Sequence, residues 1–399
     1  ICCSKLLFIT FTVLHLRKDE PMKQPILAIC YDFDKTLSPD DMQAQGYIQS
    51  IDYEIAEFWK QSNQLASDND MDQNLAYMYM MSKEGEGKVW LTQSALAEYG
   101  SRVNLFPGVE SWFKRMEKYA EEKGVIVEHY IISSGLKEMI EGTSVAKYFE
   151  KIYASSFYYN DKGVAVWPAQ VVNYTNKTQF LFRIEKGVLD VNDPRVNDYF
   201  DPEDIRVPFR NMIYIGDSDT DIPCMKLVNS HGGYSIGVFN AETNDKNKVY
   251  KMMRDKRIKY YAPADYRENT EIDKLVKSII DRTITNEVLE TKYYKCRKEC
   301  IEADKLTDVE KQKKIDLIMA LEESKNFAMT HSVIKELNMV RKWDNEEKEI
   351  LFRIGLENRQ VFYILKDKDV RVFYRKLLYK SDDLSENATK IKDEIERKN

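Results

Sequence analysis

The sequence predicts an α/β protein with an inserted helical segment and an all-α C-terminal region, on three observations. Between Ile26 and about Ala262, short apolar runs alternate with amphipathic stretches, the pattern of a parallel sheet with crossover helices on both faces. Two of those runs end in carboxylates: Asp32-Phe33-Asp34-Lys35-Thr36-Leu37 and Gly216-Asp217-Ser218-Asp219-Thr220-Asp221. After Pro263 the composition changes. From Ala264 to Asn399 there is no proline and one glycine, Gly355, amid abundant Leu, Glu, Lys and Ile, which reads as helix almost throughout.

Taken in order, Leu6 to Leu16 is apolar and is followed by Arg17-Lys18-Asp19-Glu20. The run is too short to span a bilayer and lacks a small-residue cleavage site, although a signal-peptide reading stays open. Residues 1–21 are expected to be an extension outside the fold, with Met22 a natural start for a cytoplasmic enzyme. Core strands are expected at Ile26–Tyr31, Ile126–Ile132, Lys151–Ala154, Met212–Ile215 and Tyr234–Val238, with a weaker one at Lys259–Ala262. The first two are separated by about ninety residues, too many for a simple connection. Helical runs at Met42–Ser67, Met71–Lys83 and Val89–Tyr99 make that stretch an inserted cap. Its aromatic and Met residues (Tyr47, Tyr53, Phe58, Trp59, Tyr77, Tyr79, Trp90; Met71, Met78, Met80, Met81) fall at helical spacing and read as core before pocket. A helix over Glu110–Lys123 returns to the sheet.

Asn160-Asp161-Lys162-Gly163 is a turn between the β-rich runs Tyr153–Tyr159 and Val164–Val172, so a hairpin is expected. Val191–Arg210, with three prolines, reads as a surface excursion. Beyond it, helices are expected at Glu271–Asp281, Asn286–Ala303, Asp308–Ser324, Ser332–Arg341, Asn345–Asn358 and Val370–Tyr379. Ser332 and Asp344 are the expected N-caps or their neighbours, and Ser381–Asn399 a frayed or disordered tail. The domain division is therefore a core of 22–40 and 101–284, a cap of 41–100, a helical domain of 285–380 and a tail of 381–399.

The chain has 399 residues, 43% of them hydrophobic and 32% charged, which suits packed domains and not a disordered chain. Its net charge of -6 offers no overall basic field to nucleic acid, and no stretch after the N-terminal run approaches a membrane span. The six cysteines make no CxxC pair, so neither a zinc site nor a disulfide framework is expected. The four histidines fall in no ligand pattern, and no Ser-His-Asp or Cys-His arrangement stands out.

In a parallel α/β sheet the carboxyl ends of the strands converge on one rim, where ligands bind. Carboxylates gathered there repel one another unless a hard cation such as Mg²⁺ sits among them. The plain alternatives are a turn at Asp32-x-Asp34 and a helix cap at Asp217–Asp221.

With Asp-x-Asp-x-Thr after the first strand and Gly-Asp-x-x-x-Asp after a later one, the chain resembles the haloacid dehalogenase (HAD) superfamily, whose core is Rossmann-like. Its layout is closest to the phosphoserine-phosphatase-like branch, and the resemblance covers roughly Met22 to Ile280. It implies a Mg²⁺-dependent phosphatase acting on a small phosphorylated metabolite through an aspartyl-phosphate. Asp32 is then the nucleophile and Asp34 the general acid/base, with its backbone carbonyl on the metal. Asp217 becomes a direct metal ligand, Asp221 a ligand or an anchor behind it, and Asp219 solvent-facing or supporting. Ser133, or Ser134 if the register slips, would bind phosphate with Gly135 at a helix start. Lys177, with Lys186 as competitor, would neutralise the transferring group. Lys35 stands where many members carry Gly. The same residues would serve a phosphomutase or phosphotransferase. A regulatory or scaffolding protein, using the C-terminal helices for self-association or a partner, is the reading from another class.

Overall fold

The computed structural model describes residues 24–303, 309–340, 342–379 and 384–397; the expected extension at 1–21 lies outside the described residues. Seven strands form one sheet in the order β4-β3-β2-β1-β5-β6-β7: β1 Ile26–Tyr31, β2 Ile126–Leu136, β3 Phe149–Tyr159, β4 Ala165–Gln170, β5 Met212–Gly216, β6 Tyr234–Phe239 and β7 Tyr260–Pro263. All pairings are parallel except β3 with β4, the hairpin expected around Asn160–Gly163. The central strands are buried on both faces, which explains why they are continuous apolar runs instead of alternating ones.

The chain starts in the centre, builds β2 and β3 to one side, then crosses to β5, β6 and β7 on the other. β1 is thus flanked by strands whose connections run in opposite directions, and a crevice opens at their carboxyl ends.

The insertion between β1 and β2 is helical: α1 Tyr47–Ser50, α2 Ile55–Asp68, α3 Gln73–Gly85 and α4 Gln93–Gly100. The run expected over Met42–Ser67 is broken, because Met42–Ala44 is a 3-10 turn and Asp52 adopts a left-handed φ of 61° between α1 and α2. Tyr47, Phe58, Tyr77, Met78, Met80 and Met81 are buried with one face of the sheet, so most of the Met/aromatic stripe is core, while Tyr53, Trp59 and Met71 are half-buried. Tyr79 and Trp90 are exposed instead. α5 Val109–Glu122 buries Trp112, Phe113, Met116 and Ala120 on that same face. After β2 come α6 Lys137–Gly142, α7 Lys177–Lys186, α8 Ile222–Ser230 and α9 Asn247–Arg254. α7 and α8 cover the other face with Phe180, Leu181, Ile184, Cys224, Met225 and Val228.

The two helices expected at Glu271–Asp281 and Asn286–Ala303 are one, α10 Glu271–Ala303, since nothing from Arg282 to Thr285 breaks a helix. Its first turns bury Ile272, Val276, Ile279 and Ile280 against the sheet cluster. Beyond it lie α11 Val309–Glu322, α12 Phe327–Met339, α13 Asn345–Glu357, α14 Arg359–Tyr363, α15 Lys368–Leu378 and α16 Glu386–Glu396, around a separate apolar cluster. Asp344 caps α13 as expected, with Glu347 completing a capping box. Ser332 does not cap α12; Asn326 does, six residues earlier, its side chain accepting from the Met329 N–H at 2.8 Å. The expected polar tail contains α16, which buries Ala388, Ile391 and Ile395. Those three are spaced at a helical period within a charged stretch, so the apolar stripe is narrow.

Candidate active site

Asp32 and Asp217 directly follow β1 and β5, Ser133 lies near the end of the neighbouring β2, and all three reach the same rim for that reason. The Asp32 amide donates to the Ile215 carbonyl at 2.9 Å, so the two acidic segments leave the sheet side by side. Oxygens of Asp32, Asp217 and Asp221 all lie within 4.8 Å of one another, and all three residues are buried. Lys177, at the start of α7, is fully buried between two of them: its Nζ is 3.2 Å from Asp32 Oδ2 and 2.7 Å from Asp221 Oδ1.

Each member of the acidic group is differently employed. Asp221 Oδ1 accepts from Lys177 and from the Tyr214 hydroxyl at 2.9 Å, and Oδ2 accepts from the Ser218 amide at 3.1 Å and its hydroxyl at 3.0 Å. Both oxygens are engaged twice, which makes Asp221 an anchor for the loop. Gly216 allows this: a Cβ there would stand 2.5 Å from Asp221 Oδ2. Among the described residues, the Asp217 carboxylate pairs only with Lys248 Nζ, at 3.4 Å. Asp32 Oδ1 accepts from the Phe33 amide at 2.8 Å, while Oδ2 faces Lys177. Asp219 is exposed, and the Asp219–Asp221 turn leads into α8, so the cap reading of this motif also holds.

Burial and the nearby Asp221 push the Asp32 carboxyl up to about 6, against the pull of Lys177. Burial and Asp221 likewise push Asp217 up to about 7. Three carboxylates against one buried ammonium leave two negative charges, the deficit a divalent cation fills. The donors are all oxygens, which suits a hard ion. Asp32 and Asp217, with oxygens not yet saturated, fit such an ion better than Asp221.

The Asp34 carboxylate is not in this group. Its Oδ1 accepts from the Met42 amide at 2.8 Å, and burial together with Asp41 holds its carboxyl well above the usual range. Gly135 makes room for it: a Cβ at that position would meet the Met42 Cε at 2.4 Å and Asp34 Oδ2 at 2.9 Å. Lys35 adopts a left-handed φ of 58°, a conformation that favours glycine, and its Nζ pairs with Asp41 at 2.8 Å.

Both serines line the cleft, which has a volume of about 470 Å³. They do not begin a helix. β2 runs on through Leu136 with an irregular register against β3, and α6 starts only at Lys137, so the expected helix-start amides are those of an extended segment. Ser133 Oγ accepts from the Gly135 amide at 3.1 Å, and the Ser134 hydroxyl is buried without a hydrogen-bond partner among the described residues. Lys186 lies elsewhere: its Nζ donates to the Val196 and Asp198 carbonyls at 2.7 and 2.6 Å.

The remaining walls come from segments that the motifs do not mark. Asp72 and Asn74 open α3, and Asn173 donates to Asp72 Oδ2 at 2.6 Å, tying the insertion to the loop before α7. Met71, Tyr174 and Lys248 complete the rim. The expected helical run began at Met71 and so hid Asp72, which caps α3 one residue inside it; Lys248 sits in a charged stretch where nothing separates it from its neighbours.

A parallel α/β sheet with buried acids and a buried lysine at its carboxyl rim is suited to holding a hard cation beside an anionic group. Residues 29–226 match the family model of haloacid dehalogenase-like hydrolases, so the chain carries a HAD domain over that stretch. It is also similar to an uncharacterized protein of Borreliella burgdorferi, 26% identical over 280 residues, covering 63% of this chain and 95% of that protein. Among solved structures it is similar to a HAD family hydrolase from Salmonella enterica serovar Typhi, with a TM-score of 0.43 and 18% identity over 65% of this chain and 73% of the other. A probable phosphoserine phosphatase from Vibrio cholerae gives a TM-score of 0.44 and 10% identity over 66% of this chain and 67% of its own. No described helix is long and apolar enough to cross a membrane.

Proposed function

We propose that this hydrolase removes phosphate from a small phosphomonoester, with Asp32 as the nucleophile and Mg²⁺ as the cofactor. The observation that carries the reading is the meeting of Asp32, Asp217 and Asp221 oxygens within 4.8 Å, with Lys177 buried among them.

In the first step an Asp32 carboxylate oxygen attacks phosphorus, and the bond from phosphorus to the ester oxygen breaks. Asp34, whose carboxyl burial and Asp41 push well above the usual range, gives its proton to the departing oxygen. In the second step water attacks the aspartyl-phosphate, Asp34 takes a proton from it, and the bond from phosphorus to Asp32 breaks, releasing inorganic phosphate. Lys177 balances charge on Asp32 and the transferring group. The Ser133 and Ser134 hydroxyls and the Gly135 amide hold the phosphate oxygens. Asp32 and Asp217, with the Asp34 backbone carbonyl, would hold the Mg²⁺, and Asp221 would orient the loop. The ion supplies positive charge that lets a carboxylate approach a phosphate dianion.

The cleft walls fit a small phosphorylated metabolite whose polar part meets Asp72, Asn173 and Tyr174. The test is hydrolysis of p-nitrophenyl phosphate with and without Mg²⁺, by the parent and by Asp32→Asn. Metal-dependent turnover that this substitution abolishes is expected. An inactive parent across a broad panel of phosphate esters, together with partner capture through the C-terminal helices, would instead favour a binding protein.

A further inference from the structure

A second recess, of about 630 Å³, shares no lining residue with the acidic cleft. It opens where α7 and the 200–210 segment face α10 and the helices beyond it. Its volume is in the range of small-molecule sites. Phe200, Tyr293, Tyr294 and Tyr363 give it apolar and aromatic walls.

Several charges on its lining are already satisfied. Arg210 is paired with Glu287 at 2.7 Å, Glu322 with Arg297 at 2.9 Å, and Glu323 accepts from the Tyr294 hydroxyl at 3.2 Å. Glu185 and Lys325 differ. Glu185 is only 4% exposed and Lys325 is partly buried, yet among the described residues neither side chain takes a hydrogen bond or an ion pair. Burial pushes the Glu185 carboxyl up to about 7 and pulls the Lys325 ammonium below its usual range, although each sits close enough to favour the other's charge. A buried acid and a buried base that do not touch are offset only through space, by each other and by neighbours such as Arg210 and Glu323, an arrangement that costs stability. A ligand carrying both signs of charge a short distance apart would compensate both at once.

We propose that this recess binds a compact zwitterion with an apolar or aromatic body, of the α-amino-acid class, its ammonium on Glu185 and its carboxylate on Lys325. The aromatic walls take the body, and the two charges set its orientation. Glu185 lies on α7 about two turns from Lys177, so the ligand is held by the helix that also reaches the acidic cleft.

The experiment is isothermal titration calorimetry of the full chain with L-phenylalanine and L-leucine. Phenylacetate and phenethylamine, each carrying one of the two charges, serve as controls. Saturable binding of at least one amino acid is expected, with both controls weaker by about tenfold or more, as loss of one charge-assisted contact implies. Glu185→Gln and Lys325→Met should each weaken binding by about tenfold, whereas Asp32→Asn should leave it intact. Glu185→Gln preserves shape, so it decides the matter if Lys325→Met fails to fold. Absence of binding by either amino acid, or unchanged affinity in Glu185→Gln, would overturn the proposal.

Discussion

At the carboxyl rim of the sheet, Asp32, Asp217, Asp221 and Lys177 are buried within reach of one another, at a cost in desolvation. The C-terminal helices bury the opposite kind of material: Leu317, Leu321, Ile334, Leu351, Phe373, Ile391 and their neighbours form an almost wholly apolar cluster. One region gathers charge that folding alone does not need, while the other is what folding alone would select. The contrast separates residues kept for chemistry from residues kept for packing, and substitutions in the two regions should therefore fail in different ways.

The largest effect is expected from Asp32→Asn. Loss of the nucleophile should lower kcat by about a thousandfold or more, while the thermal midpoint holds or rises because a destabilised carboxylate is gone. A variant that unfolds instead would place Asp32 among the packing residues. Lys177→Met should fail on both counts. It leaves Asp32 and Asp221 facing each other in a buried site, at a cost of about 3–5 kcal/mol, and removes charge balance at the reacting group. Urea denaturation and the p-nitrophenyl phosphate assay read the two losses separately. Ile391→Ala should cost about 2–5 kcal/mol in the C-terminal cluster and leave hydrolysis unchanged, a pattern that hydrogen exchange with a kinetic assay would resolve.

The metal response sharpens the same comparison. Asp32 and Asp217 have folded-state values of about 6 and about 7, above their ordinary carboxylate range. A raised value favours the folded state below the ordinary range, and that contribution is lost as pH climbs through 6 and 7. The metal-free protein should therefore lose this stabilisation toward pH 8. Mg²⁺, which needs the ionised carboxylates, should stabilise most there, by about 2.7 kcal/mol at a hundred times its Kd. Differential scanning fluorimetry at pH 5 and pH 8, with Asp217→Asn as control, checks the sign. The smallest effect is expected from exposed Asp219→Asn, within about 0.5 kcal/mol and without loss of turnover.

Much of the rim was legible because its chemistry is local in sequence. β1 and β5 are short apolar runs that stop at acids, and two such runs in one parallel sheet have few places to go. Lys177 and Ser133 were legible from position after a strand or before a helix. The extended path of Ser134–Leu136 was not, since it depends on Asp34 and Met42 packing onto Gly135 from another segment. The walls drawn from Asp72, Asn173 and Lys248 depend on how the insertion folds back, which no local pattern encodes. In the C-terminal region, composition made the helices plain but not their ends. Asn326 outcompeted Ser332 as a cap, and α16 hid its three apolar contacts among charges.

The most direct test of the central claim is to quench a single turnover in acid and map the phosphoryl group by mass spectrometry. In the presence of Mg²⁺, the account predicts a transient adduct on Asp32, absent from Asp32→Asn and diminished without the metal. Turnover with no protein adduct, or with the adduct on any other side chain, would contradict it.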